Sequence, residues 1–133
     1  MNIVVVGGCF DILHPGHIGF LESARKLGDK LVVLLESDLR VKQLKGQDRP
    51  INSQLKRRQA LLALPFVNEV IKLPDNPNFV KILKEINPSI IAITTGDETF
   101  DRKQSAVHQL TNCRLISLPF LPGFSTSKII NNL

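Results

Sequence analysis

The residues Ile3–Val6, IVVV, form an uninterrupted β-branched run that stops at Gly7-Gly8, and Leu31–Leu35, LVVLL, repeats the pattern after a helical stretch. Strands that are apolar at every position are buried on both faces, which marks a parallel sheet covered by helices on each side. Between these runs Ile18–Leu27 carries Ile18, Leu21, Ala24 and Arg25, with Leu27 further on, at helical spacing, and Gly28 closes it. A β–α–β unit of this kind has a right-handed crossover by default.

The alternation continues along the chain. Val41–Arg49, VKQLKGQDR, is basic and holds a glycine, so it reads as a loop or a frayed helix end. Ser53–Leu64 returns to helical spacing before Pro65. Val67–Leu73 then reads as a strand, Asn78–Ile86 as a helix, Ile90–Thr94 as a strand, Phe100–Leu110 as a helix, Leu115–Leu118 as a strand and Lys128–Asn132 as a short terminal helix. The expectation is an α/β chain with a doubly wound, open parallel sheet of about five strands. With 133 residues, 43% of them hydrophobic, there is material for one core, so residues 1–133 are expected to be a single domain with a single site. In such sheets ligands bind beyond the carboxyl ends of the strands, where the strand order reverses.

Charge narrows the ligand. Lys plus Arg is 17 against 12 for Asp plus Glu, a net +5 that favours anions. Nucleic acid fits poorly, because aromatics are only 5%, Trp and Tyr are absent, and the basic residues are not interleaved with Phe. Cys9 and Cys113 are far apart and belong to no CxxC or Cys/His cluster, which fits a reduced, cytoplasmic setting without a disulfide framework or structural zinc. No apolar run approaches the roughly 18 to 20 residues that cross a bilayer, and Ile3–Val6 is too short for a secretory leader. A dinucleotide-type oxidoreductase is disfavoured, since GGCFDILHPG lacks the GxGxxG spacing.

Four segments could carry chemistry. In Gly7–His17, GGCFDILHPGH, the junction from strand to helix offers unpaired N–H groups and a positive dipole end to phosphate, and His14 and His17 sit in the first turn. Three readings of that pair compete. Zinc would want a third protein ligand, and His108 has no partner pattern around it. The pair could instead cap the helix, or donate N–H groups to phosphoryl oxygens. Pro15 suits a first helical position, and Gly16 lets a ligand come close to the backbone. In Gly123–Ile129, GFSTSKI, Ser125, Thr126, Ser127 and Lys128 form either an ordinary N-cap or a second phosphate cradle. The basic run Lys42, Lys45, Arg49, Lys56, Arg57 and Arg58 is a solvated face or, for a lysine and an arginine near the sheet mouth, a grip on a phosphorylated co-substrate. Thr94–Glu98, TTGDE, makes a turn with Asp97 as a cap, or lines a base pocket.

GxFDxxHxGH near the start together with STxK before the last helix resembles the cytidylyltransferase-like branch of the HxGH nucleotidyltransferases, over essentially the whole chain. Ala24–Asp29, ARKLGD, Ser37-Asp38, and above all Leu44–Asn52, LKGQDRPIN, are most similar to the adenylyltransferase part of ADP-heptose synthase. Glycerol-3-phosphate cytidylyltransferase resembles the loop less, and archaeal-type FAD synthetase is expected to be more distant. The resemblance implies a Rossmann-like, HUP-type fold that joins ATP or CTP to a phosphorylated acceptor, heptose 1-phosphate first, and releases pyrophosphate. On its terms His14, His17 and Lys45 are catalytic. Gly8, Cys9, Phe10, Asp11, Gly16, Gly96, Asp97, Ser125, Thr126, Ser127 and Lys128 bind the nucleotide, with Asp11 orienting the site, and Asp38 and Arg57 bind the co-substrate. Mg²⁺ or another divalent ion is then held mainly by phosphates, with no direct protein motif, and a homodimer is expected. Cys9 departs from the family's usual threonine or valine, and TTGDETF from its GGDY. The kinase domain that many heptose proteins carry has no counterpart in this sequence.

Overall fold

The structure, a computed structural model, describes residues 1–119. The segment Ser125–Lys128 and the helix expected over Lys128–Asn132 lie outside the described residues. The chain runs β1 (Ile3–Gly8), α1 (Pro15–Arg25), β2 (Lys30–Leu35), α2 (Asp38–Lys45), α3 (Gln54–Leu62), β3 (Glu69–Lys72), α4 (Phe79–Ile86), β4 (Ile90–Thr94), α5 (Phe100–His108) and β5 (Arg114–Leu118). All strand pairings are parallel, in the order β3-β2-β1-β4-β5.

Side-chain alternation divides the core between the two faces. Val4, Val6, Leu31, Val33, Leu35, Ile90 and Ala92 pack with Phe20, Leu21 and Ala24 of α1 and Leu61 of α3. Val5, Val32, Leu34, Ile91 and Ile93 turn the other way, onto Phe79 and Leu83 of α4 and Ala106 of α5. Each such fully buried side chain contributes roughly 1.5–3 kcal/mol of transfer free energy, so strand interiors that are apolar at every position leave the sheet only this double-sided solution. No helix among the described residues is long and apolar enough to cross a membrane.

The Val41–Arg49 segment differs from expectation. Its first part belongs to α2, a formed helix whose cap Ser37 accepts from Arg40 N–H at 3.1 Å. Asp38 in its first turn and Lys42 and Lys45 in its last complement the helix dipole. Only Val41 of this helix is buried, so the sequence offers no apolar stripe to reveal it. The β1 strand also runs through Gly7 and Gly8, which pair in register with Leu34 and Leu35.

The strand order reverses between β1 and β4, and there the sheet opens. The β1–β2 register holds over six pairs to Gly8↔Leu35, whereas β1 and β4 pair only at Val4↔Ile90 and Val5↔Ile91. Beyond those pairs the carboxyl ends of β1 and β4 form no ladder, and a cleft of about 170 Å³ lies at that end of the sheet.

Candidate functional site

The floor of the cleft is the β1–α1 junction. His14 occupies the N-cap of α1 in extended conformation, its Nδ1 accepting from Gly16 N–H at 3.1 Å, with Pro15 opening the helix. That bond fixes the neutral tautomer, placing the proton on Nε2. One ring therefore caps the helix and keeps a donor nitrogen on its far side. The His14 and His17 rings lie 3.8 Å apart between centroids. Burial pushes the His17 imidazole down to about 4, helped by the charges of His14 and Lys45 and opposed by a hydrogen bond to the Ile12 backbone. Burial also lowers His14. Both rings are neutral at neutral pH, and two such rings in contact do not readily share two positive charges.

Phe10 shapes this floor. Its φ of 46° is a left-handed conformation that is strained for an aromatic residue. The strain turns its ring edge-on to His17, with 5.6 Å between centroids. A Cβ on Gly8 would come within 2.9 Å of Phe10 Cε2, so glycine is required beneath the ring.

Asp11 ties the two motif segments together. Its Oδ2 accepts from Arg49 Nε at 2.6 Å and Ile51 N–H at 2.8 Å, its Oδ1 accepts from Asn52 N–H at 2.8 Å, and Asn52 Nδ2 donates to its carbonyl at 2.8 Å. Burial pushes this carboxyl up, but the N–H donors of Ile51 and Asn52 and the Arg49 guanidinium outweigh burial and hold it below the usual carboxylate range. Both oxygens are thus committed to the loop. Among the described residues no group of three or more His, Cys, Asp or Glu side chains is arranged to hold a metal ion.

The β4 side is organised by Lys103, only 1% exposed. Its Nζ donates to Gly7 O at 2.9 Å and to Asp97 Oδ2 at 2.7 Å, supplying a donor where β1 has parted from β4. Burial lowers the lysine, and Asp97 opposes that shift. For Asp97 burial acts upward, and the charge of Lys103 with hydrogen bonds from Thr99 carries the balance downward. Gly96, at φ +79°, makes the turn that delivers Asp97, and nothing stands within 4 Å of where its Cβ would be. On the opposite side Lys45 reaches Glu98 in an ion pair.

The cleft thus gathers Gly8, Cys9, Phe10, Asp11, His17, Lys45, Gly96 and Asp97 of the expected residues, with Gly16 and His14 in the helix start behind them. Burial pushes the Cys9 thiol up to about 11, which leaves it no nucleophilic character at neutral pH. Arg57 and Asp38 do not line the cleft, contrary to the substrate role expected of them. Arg57 is 1% exposed. Its guanidinium donates to Asn52 O at 3.0 Å, Cys9 O at 2.8 Å, Glu36 O at 3.0 Å and Asp38 Oδ1 at 2.7 Å, so four of its five N–H groups knit the loops. Glu36 and Lys103 are cleft or cleft-supporting residues that the sequence did not single out, whereas Arg49 was already marked by its place in the basic run and in LKGQDRPIN.

The family model described as cytidylyltransferase-like matches residues 5–132. The chain is 41% identical over 132 residues to the bifunctional protein HldE of Campylobacter fetus, covering 99% of this chain and 28% of that protein. It is 42% identical over 136 residues to the FAD synthase of Thermococcus sibiricus, covering 98% of this chain and 90% of that protein. The expected greater distance from FAD synthetases is therefore corrected, since the two identities are nearly equal. Among solved structures, the lipopolysaccharide core biosynthesis protein of Thermoplasma volcanium superposes with a TM-score of 0.78 at 27% identity, covering 91% of this chain and 98% of that one. With a family match running nearly end to end and a relative 42% identical of which the chain covers 90%, the chain belongs to the cytidylyltransferase-like family and is a nucleotidyltransferase.

Proposed function

We propose that the cleft transfers the adenylyl group of ATP to the phosphate of a small hydroxyl-bearing acceptor, heptose 1-phosphate first, and releases pyrophosphate. The observation that carries this reading is the pair of neutral imidazoles in tilted contact at the start of α1, at the end of the sheet where β1 and β4 part. An acceptor phosphate oxygen attacks the α-phosphorus as the bond to the bridging oxygen breaks. That step asks for charge neutralisation and alignment rather than a protein nucleophile. His14 donates its Nε2–H to an oxygen of the α-phosphate, and His17, one N–H of which serves the Ile12 backbone, donates from its other nitrogen once the phosphate charge has drawn a second proton onto the ring. Phe10 holds the His17 ring in place, and Gly8, Cys9 and Gly16 admit the nucleotide against the backbone. Asp11 acts at one remove, by fixing the loop that carries Arg49. Lys45 and Arg49 hold the acceptor phosphate, and Gly96 and Asp97 border the base. Ser125, Thr126, Ser127 and Lys128 take the triphosphate tail. Mg²⁺ bound with the nucleotide supplies further neutralisation of the phosphate charge.

LKGQDRPIN and the likeness to HldE support heptose 1-phosphate as acceptor. A second reading, adenylyl transfer to FMN, is favoured by the FAD synthase relative, of which the chain covers 90%. Transfer from CTP to glycerol 3-phosphate is the third. Pyrophosphate release from each of the four NTPs with Mg²⁺, against heptose 1-phosphate, FMN and glycerol 3-phosphate, separates them. The expected outcome is release from ATP with one of the first two acceptors, and silence across the panel would defeat the proposal.

A further inference from the structure

Glu36 directly follows β2, and its N–H donates to Gly8 O at 3.0 Å, which fixes it beside the glycine end of β1 on the wall of the cleft. The side chain is 1% exposed. Oε2 accepts from Arg102 Nη2 at 2.8 Å, and Arg102 is itself held over the Phe79 ring, 4.2 Å from its centroid. Oε1 is buried and has no hydrogen-bond partner among the described residues. A buried carboxylate oxygen without a donor is costly, and native folds that keep one have a reason for it. Anchoring α5 through Arg102 needs only one oxygen.

The same wall carries the complementary group. Arg49 uses Nε on Asp11, while its Nη2 is buried with no partner among the described residues. Lys45 completes the set, its exposed ion pair with Glu98 giving way to the phosphate. A bare phosphate would use the two cations and be repelled by Glu36. A phosphate ester that also bears a hydroxyl would satisfy all three. The opposite wall, with Thr94, Gly96, Asp97 and Thr99, has no such pairing, because Lys103 is committed to Gly7 and Asp97.

We propose that Glu36 selects the acceptor, its Oε1 taking a hydrogen bond from a hydroxyl of a phosphorylated polyol whose phosphate lies between Lys45 and Arg49. The role rests on the transferase reading for the fate of that acceptor, not for its binding. Oε1 is sealed from solvent in this structure, so the hydroxyl reaches it as the cleft side chains shift to admit the ligand. Glu36→Gln keeps an oxygen for Arg102 and turns an N–H₂ toward the ligand. Glu36→Asp keeps the charge and withdraws the oxygens by one methylene.

The test is calorimetric binding of heptose 1-phosphate, FMN, inorganic phosphate and ATP to the wild type and both variants, with thermal unfolding run alongside. At least one of the two polyol phosphates should bind the wild type about tenfold or more tightly than inorganic phosphate. Both substitutions should lower that affinity about ten- to a hundredfold, the range for a hydrogen bond to a charged group, with inorganic phosphate and ATP unchanged within about twofold and folding preserved. The inference is overturned if neither polyol phosphate is preferred by the wild type, if that preference survives both folded variants, or if ATP affinity falls in step with it. Missing pyrophosphate release with this binding pattern intact would sink the transferase reading alone.

Discussion

Lys45, in the last turn of α2, forms an ion pair with Glu98, 53 residues further along the chain, and so bridges the β2 and β4 sides of the cleft. With Glu98 about half exposed, such a bridge adds only about 0–1 kcal/mol of stability. Its larger consequence is competition, because the Glu98 carboxylate holds the ammonium that an incoming phosphate must recruit. Glu98→Gln should therefore tighten binding of pyrophosphate about two- to fivefold at low salt, with little change in unfolding temperature. Weaker binding in a titration would show that Glu98 serves the ligand instead.

The Asp11 hub predicts a stability effect. Asp11→Asn leaves one oxygen to serve three donors and turns an N–H₂ toward Arg49 or the loop amides. Breaking a buried pair of this kind should cost roughly 3 kcal/mol, read as a lower denaturation midpoint in urea. A loss below about 1 kcal/mol would mean that water replaces the network.

Histidine titration sets a pH signature. The His17 imidazole lies near 4 in the folded chain, against about 6.5 when unfolded. The unfolded state thus binds the extra proton first, and this contribution to stability is fully present above about pH 6.5 and lost as pH falls toward 4. A triphosphate placed against the ring reverses the shift, so ATP binding between pH 5 and 6 should take up protons. Calorimetry in buffers of different ionisation enthalpy would reveal the uptake, and buffer-independent heats would place the phosphates away from His17.

The sheet was legible because its strands are apolar throughout, and Ile90–Thr94 is found with the bounds read from sequence. Helix α2 was hidden, since its start rests on a serine cap and one buried valine rather than a stripe. In the site, HPGH, Asp11, Lys45, Gly96 and Asp97 all carried local signals. The pairing of Asp11 with Arg49 spans 38 residues and that of Lys103 with Gly7 spans 96, and contacts at such separations leave no local pattern. Arg57 shows the converse limit. Its place in the basic run marks a cation, but only the fold reveals that the acceptors it serves are backbone carbonyls and Asp38.

His17 as a donor to the reacting phosphate is the centre of the proposed chemistry. The most direct measurement is the rate of pyrophosphate release by wild type and His17→Ala, with Mg²⁺, ATP and whichever acceptor supports turnover, at saturating substrate. Loss of one well-placed transition-state donor predicts a drop of roughly a hundredfold in kcat with the fold intact. An unchanged rate in the folded variant would contradict the account.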